Sequence, residues 1–228
     1  MRQKVLWFCT VCIYISAMVF GIVKRQTYTD LARQENYLSQ IEVAELSEDS
    51  TESQCAKMSQ SLPNSANILR VEVTGDIEHL FQVDRQKAVI QEVYAGTGLQ
   101  QGDEVYIFSR HWQFVLYDGS KSLQRGYVNI MEVGSEYLVF AEEVMEDWET
   151  GIPAVKLNDD FMVAPVFCYE EHQNVVIPIP EDVPTGVAYQ DVMNNEFFVT
   201  SEKALQTINA LKSQMLSLYP RDEMIQED

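Results

Sequence analysis

Residues 67–74 read NILRVEVT, and their alternation governs the reading of everything around them. Leu69, Val71 and Val73 fall on one face, and Arg70, Glu72 and Thr74 fall on the other. A period of two marks a strand with one buried face. Gly75-Asp76 then supplies a turn. Continuing outward, QKAVIQEVY at 86–94 and EVYIFS at 104–109 read as two more strands, separated by the loop GTGLQQGD at 96–103. Tyr127–Ile130, Tyr137–Ala141, Ala154–Leu157 and Phe161–Cys168 extend the series. Val175–Ile179 is apolar, but Pro178 and Pro180 confine it to an edge or an extended tail. Short strands parted by turns predict a mainly β, α+β body built on an antiparallel barrel or sandwich.

The C-terminus changes period. Thr200 or Ser201 can cap a helix, Glu202 sits in its first turn, and Pro220 ends it. Within this helix, 201–219, residues Ala204, Leu205, Ile208, Leu211, Met215, Leu218 and Tyr219 share one stripe. Such an amphipathic helix docks on a sheet or, alternatively, on a partner.

Toward the N-terminus, VLWFCTVCIYISAMVFGIV at 5–23 carries no charge and is flanked by Arg2, Lys4, Lys24 and Arg25. As a helix it measures about 28 Å, one hydrocarbon thickness. It is longer than a signal-peptide core and lacks a small-x-small cleavage site. The expectation is a transmembrane anchor over 1–25, with the bulk of the chain extracytoplasmic. Two basic residues near each end leave the positive-inside rule balanced. Residues 26–54 read as a stalk helix followed by the acidic linker SEDSTESQ at 47–54, and the folded body is expected over 55–228.

The chain has 16 basic and 35 acidic residues. Four of the basic ones flank the apolar run, so residues 26–228 carry a formal charge of −23. Nucleic-acid binding depends on neutralising phosphates with Lys and Arg, so that function class is excluded.

No motif calls for a cofactor or a metal. Gly96-Thr97-Gly98 lies between two strands, not before a helix, and reads as a turn. His79, His111 and His172 lack metal-ligand spacing. Cys9 and Cys12 sit inside the apolar run, where a thiolate is disfavoured. Cys55 and Cys168 are open to two readings, a disulfide in an oxidising compartment or two unpaired thiols. Asn158-Asp159-Asp160 and the acidic run around Trp148 read as solvated turns. His111-Trp112-Gln113-Phe114, with Tyr117, offers a candidate binding surface of Trp112, Phe114 and Tyr117. Core packing is the competing reading for Trp112 and Phe114.

Four runs resemble the netrin-like module, an OB-type barrel shared with tissue inhibitors of metalloproteinases. They are SANILRVEVTG at 65–75, KAVIQEVYAG at 87–96, GDEVYIFS at 102–109 and VGSEYLVFA at 133–141. Ala95 stands where that family's Lys is usual, and no mature N-terminal cysteine is present, so protease inhibition is not carried over. The resemblance implies a barrel. The whole chain is also similar to membrane-anchored proteins of Gram-positive bacteria, which adds no mechanism.

The functional expectation is a membrane-tethered binding or interaction module that takes a protein or cell-envelope partner. One alternative is a hydrolase, which would require two or more of Asp159, Asp160, Glu142 and Glu143 to converge in a cleft. The other is a structural subunit of a membrane complex that docks through the stripe from Ala204 to Tyr219.

Overall fold

The computed structural model describes residues 2–27, 41–80, 83–117, 121–124, 126–147, 149–177 and 186–221. The chain divides into two units, Met1–Tyr37 and Leu38–Asp228. The first contains helix α1, Arg2–Thr27. Among the described residues, no helix is long and apolar enough to cross a membrane. The single-pass membrane localisation expected from the apolar run is therefore corrected.

The second unit is a mixed α/β body built on a closed five-stranded β-barrel. Its strands are β2 (Asn67–Val73), β4 (Val83–Ala95), β5 (Glu104–Ser109), β8 (Glu136–Glu146) and β9 (Pro153–Leu157). β2 pairs antiparallel with β4 and with β8, β4 with β5, and β8 with β9. The circuit closes through a parallel pair, with Tyr106, Ile107 and Phe108 of β5 set against Ala154, Val155 and Lys156 of β9. The path β2, β4, β5 and back to β8 beside β2 is a Greek key. Closure removes the free edges that an open sheet leaves.

Alternation places Leu69, Val71, Val73, Ala88, Ile90, Val105 and Ile107 in the core. Register shifts in the β2–β4 pair and near Ala141 in β8 bend the strands around the barrel. A short strand, β3 (Glu78–Leu80), pairs with the start of β4, and β10 (Val166–Cys168) lies along β8.

A second sheet holds β1 (Ile41–Val43), β6 (Phe114–Tyr117), β7 (Lys121–Gln124) and β11 (Val187–Ala188), in the order β11-β1-β7-β6. β1 replaces part of the expected stalk helix. Ile41 and Val43 are both buried and two residues apart, a strand pattern. Tyr127–Ile130, expected as a strand, contributes only an isolated bridge between Val128 and Phe197.

Three further helices complete the body. α2, Glu48–Ser61, occupies the segment read as an acidic linker. Its first turn carries Glu48 and Asp49, which favour a helix N-terminus, while Thr51, Cys55 and Met58 turn inward with Leu62. A single 3₁₀ turn, Leu62–Asn64, follows it. α3 is the short Tyr189–Val192. α4, Glu202–Leu218, begins as the sequence predicts, with the Ser201 side chain accepting from the Ala204 amide at 3.1 Å.

The α4 stripe is spent inside the molecule. Ala204, Leu205, Ile208, Leu211 and Met215 are buried in the core, so the helix docks within the body, the first of its two sequence readings, and these residues are not left for a partner. Lys203 of α4 pairs with Glu48 and Glu52 of α2 at 2.6 and 2.9 Å. Deeper in, Lys212 pairs with Glu196 at 2.5 Å, and Glu196 also accepts from the Cys168 amide at 2.8 Å. Burial raises the Glu196 pKa above the usual carboxylate range, opposed by Lys212. Removing Lys212 leaves a buried carboxylate without its counter-charge. Lys212→Met should cost on the order of 3–5 kcal/mol by urea denaturation, and the double variant with Glu196→Leu should recover much of that loss.

Candidate functional site

The parallel closing pair determines where the chain gathers polar side chains. β5 and β9 run in the same direction, so the loops that leave their C-terminal ends emerge together. One loop begins Arg110-His111, and the other is Asn158–Met162. With Gly126-Tyr127 they enclose an open cavity of about 720 Å3, lined by Arg110, His111, Gln113, Tyr127, Asp159 and Phe161.

Ser109 is the last residue of β5. It continues the inward register of Val105 and Ile107 and is 1% exposed. Its hydroxyl lies 2.9 Å from His111 Nδ1 and accepts from the His111 amide at 2.9 Å. His111 Nε2 sits 2.9 Å from the Phe161 carbonyl. A carbonyl only accepts, so Nε2 carries the proton, and Nδ1 accepts from the Ser109 hydroxyl. Asp159 Oδ1 lies 3.7 Å from the same Nδ1. Facing a lone pair, it forms no hydrogen bond and is buried without a partner.

Ser, His and Asp side chains are thus adjacent, but not in catalytic order. A hydrolytic triad needs the serine on one imidazole nitrogen and the carboxylate on the other. Here both face Nδ1, Nε2 is occupied by a backbone carbonyl, and the serine is sealed off. The histidine is a brace between the loops that follow β5 and β9.

The third segment is held by backbone conformation. Gly126 has φ +104°, and a Cβ there would lie 2.5 Å from His111 Cβ and 2.7 Å from its carbonyl oxygen. Tyr127 has φ +55°, the left-handed region that non-glycine residues seldom occupy. The pair lets the chain pass directly under His111. Asp160 donates its amide to Asn158 Oδ1 at 2.9 Å, which makes 158–160 the expected turn. Lys57 of α2 pins that turn through the Asp160 carbonyl at 3.0 Å and lies 5.0 Å from the Phe161 ring centroid.

Several sequence expectations are corrected here. Trp112 is fully buried and donates Nε1–H to the Asn129 carbonyl at 3.1 Å, so it is not an exposed anchor. The side chains of Phe114 and Tyr117 lie outside the described residues. Cys55 and Cys168 are buried free thiols, not a disulfide. Each is held in the core, and burial pushes their pKa values up to about 11 and about 12. Of Asp159, Asp160, Glu142 and Glu143, only Asp159 lines the cavity. Glu142 is paired with Lys156 at 3.3 Å. Among the described residues, no group of three His, Cys, Asp or Glu side chains is placed to hold a metal ion. A smaller cavity of about 420 Å3 is lined by Glu132, Glu171, His172 and Asp191 and has no Lys or Arg among its described residues.

The sequence reading passed over Ser109, Arg110 and Tyr127. The available signal was Ser-x-His at the end of an inward-alternating strand. No protein-family model matches the chain, and no curated protein matches it.

Two measurements check this geometry. Iodoacetamide at about pH 8 should leave Cys55 and Cys168 unmodified in the native protein and label both in denaturant, since only an accessible thiolate reacts. Burial also lowers the His111 pKa below the ordinary imidazole value, with the Phe161 carbonyl and Asp159 opposing. The unfolded chain therefore takes up the His111 proton first, and stability falls as pH drops below about 6.5 toward the folded pKa. Between about pH 7.5 and 5.5, the urea midpoint of the native sequence should fall more than that of His111→Gln.

Proposed function

We propose that the chain is a binding module whose ligand site is the cleft at the shared end of β5 and β9. One observation carries this reading. The cavity of about 720 Å3 brings together a basic and an acidic side chain, Arg110 and Asp159, with the apolar side chains of Phe161 and Met162, on loops braced from beneath. Binding sites are concave, with a few fixed polar groups set in apolar surface, and are held by a rigid scaffold.

The strand circuit and Greek-key path support reading the barrel as OB-type, and barrels of that class bind ligands through loops at one end. The netrin-like resemblance rests on its four sequence runs alone. The acidic charge of the body argues against nucleic acid as the ligand, whichever surface is used. A cell-envelope partner rested on the membrane localisation and is set aside with it.

The hydrolase reading is weaker because only one of its four candidate carboxylates enters the cleft. The subunit reading is weaker because the α4 stripe is already buried.

A thermal-shift screen of the full chain against a set of small polar metabolites tests the proposal. A true ligand at a large excess over its Kd should raise Tm by several degrees. Tyr127→Ala should reduce that shift, and the recovered ligand should be chemically unchanged. Turnover of the ligand would instead favour the enzyme reading, and the absence of any shift across the set would count against the binding module.

A further inference from the structure

Resting on that reading, we propose that the cleft takes a small zwitterion of the amino-acid class, its carboxylate on Arg110 and its ammonium on Asp159, with an apolar side chain against Phe161 and Met162. The argument begins with charge accounting. Arg110 is exposed and lines the cleft, yet among the described residues its side chain has no ion pair and no hydrogen bond. Every other Lys and Arg whose side chain is described has a partner. Arg70 holds Glu92 and Glu136, Arg85 holds Glu78 and Asp147, and Arg221 holds Glu136 and Glu170. Lys87, Lys156, Lys203 and Lys212 each pair with a glutamate, and Lys57 is bound to the Asp160 carbonyl. Where residues 26–228 carry a formal charge of −23, an unpaired guanidinium at the rim of a cavity is the exception.

Asp159 is the one carboxylate that lines this cavity. Its carboxylate accepts no hydrogen bond among the described contacts, and its side chain is 24% exposed. Its one close polar neighbour, His111 Nδ1, presents a lone pair already taken by the Ser109 hydroxyl. His111 therefore leaves the charge of Asp159 uncompensated. Arg110 and Asp159 line the same cavity without pairing with each other, which leaves both free for a third party.

That arrangement discriminates among ligands. A simple anion drawn to Arg110 meets the uncancelled charge of Asp159. A simple cation drawn to Asp159 meets Arg110. Only a molecule carrying both charges satisfies both groups, and a guanidinium–carboxylate contact adds paired hydrogen bonds. Beside His111, Gln113 and Tyr127, the lining includes Phe161 and the exposed Met162, which suit an aliphatic or aromatic substituent, and Met adapts to varied shapes.

Calorimetric titration of the full chain with L-leucine, N-acetyl-L-leucine and L-leucinamide tests the assignment, with the corresponding L-phenylalanine series alongside. The free amino acid should bind saturably, and each blocked form should bind at least about tenfold more weakly, as expected for loss of one charged hydrogen-bonded contact. Arg110→Ala should weaken binding of the free amino acid while leaving leucinamide unchanged. Asp159→Asn should weaken the free amino acid while leaving the N-acetyl form unchanged. Both positions are solvent-accessible, and unfolding curves matching the native sequence establish that the variants fold. Equal binding of all three forms overturns the zwitterion assignment and leaves the binding-module reading standing. No saturable binding by either series also overturns the assignment. If the metabolite screen is silent as well, the binding-module reading falls with it.

Discussion

Three residue pairs close the barrel. Tyr106, Ile107 and Phe108 meet Ala154, Val155 and Lys156 in parallel, and every other strand pair in the circuit is antiparallel. Without that seam β4 and β8 would be parts of an open sheet with exposed edges. The parallel direction also has a consequence beyond closure. Antiparallel neighbours send their C-terminal loops to opposite ends, whereas β5 and β9 send theirs to the same end. The cleft exists because the seam is parallel.

The seam is reinforced on both sides. Beyond its end, His111 joins the two emerging loops through Ser109 and the Phe161 carbonyl. At its start, Arg85 of β4 stacks 4.2 Å from the Tyr106 ring centroid and reaches Asp147, at the end of the β8 strand, at 2.7 Å. One cation thus ties β4, β5 and the β8–β9 hairpin where burial makes its loss costly. The buried Gln86 adds a second tie, exchanging hydrogen bonds with the Met131 amide and carbonyl at 3.1 and 2.9 Å. Pairing Arg85 and Gln86 matters because an unmet partner in the core is more expensive than the bond itself is worth.

What was legible in the sequence is what depends on near neighbours. The alternation around Val71, the β-branched run ending at Tyr94, the turn at Gly96 to Gly102 and the Ser201 cap all express local preferences, and each forms where it was read. The features that failed to show are non-local. β1 is three residues long and is a strand because β7 and β11 lie on either side of it. α2 faces inward with Thr51, Cys55 and Met58, too weak a stripe to stand out from its ten other polar residues. Trp112 lies two residues after the exposed Arg110, and only the fold reveals that it is fully buried. The placing of Arg110 and Asp159 around one cavity brings together residues 49 positions apart, on loops that the seam sends to the same end.

The clasp between α2 and α4 sets the order in which the molecule can be completed. Ser59 meets Gln214, and Glu48 meets Lys203, across more than 150 positions of chain. During synthesis Cys55, Met58 and Leu62 leave the ribosome well before the helix that covers them. Until that helix is made, the greasy strip has nothing of its own to lie against, and contacts this distant in sequence form slowly. The nascent chain is thus a natural client for holding chaperones, and truncation anywhere before Met215 would leave the strip uncovered for good.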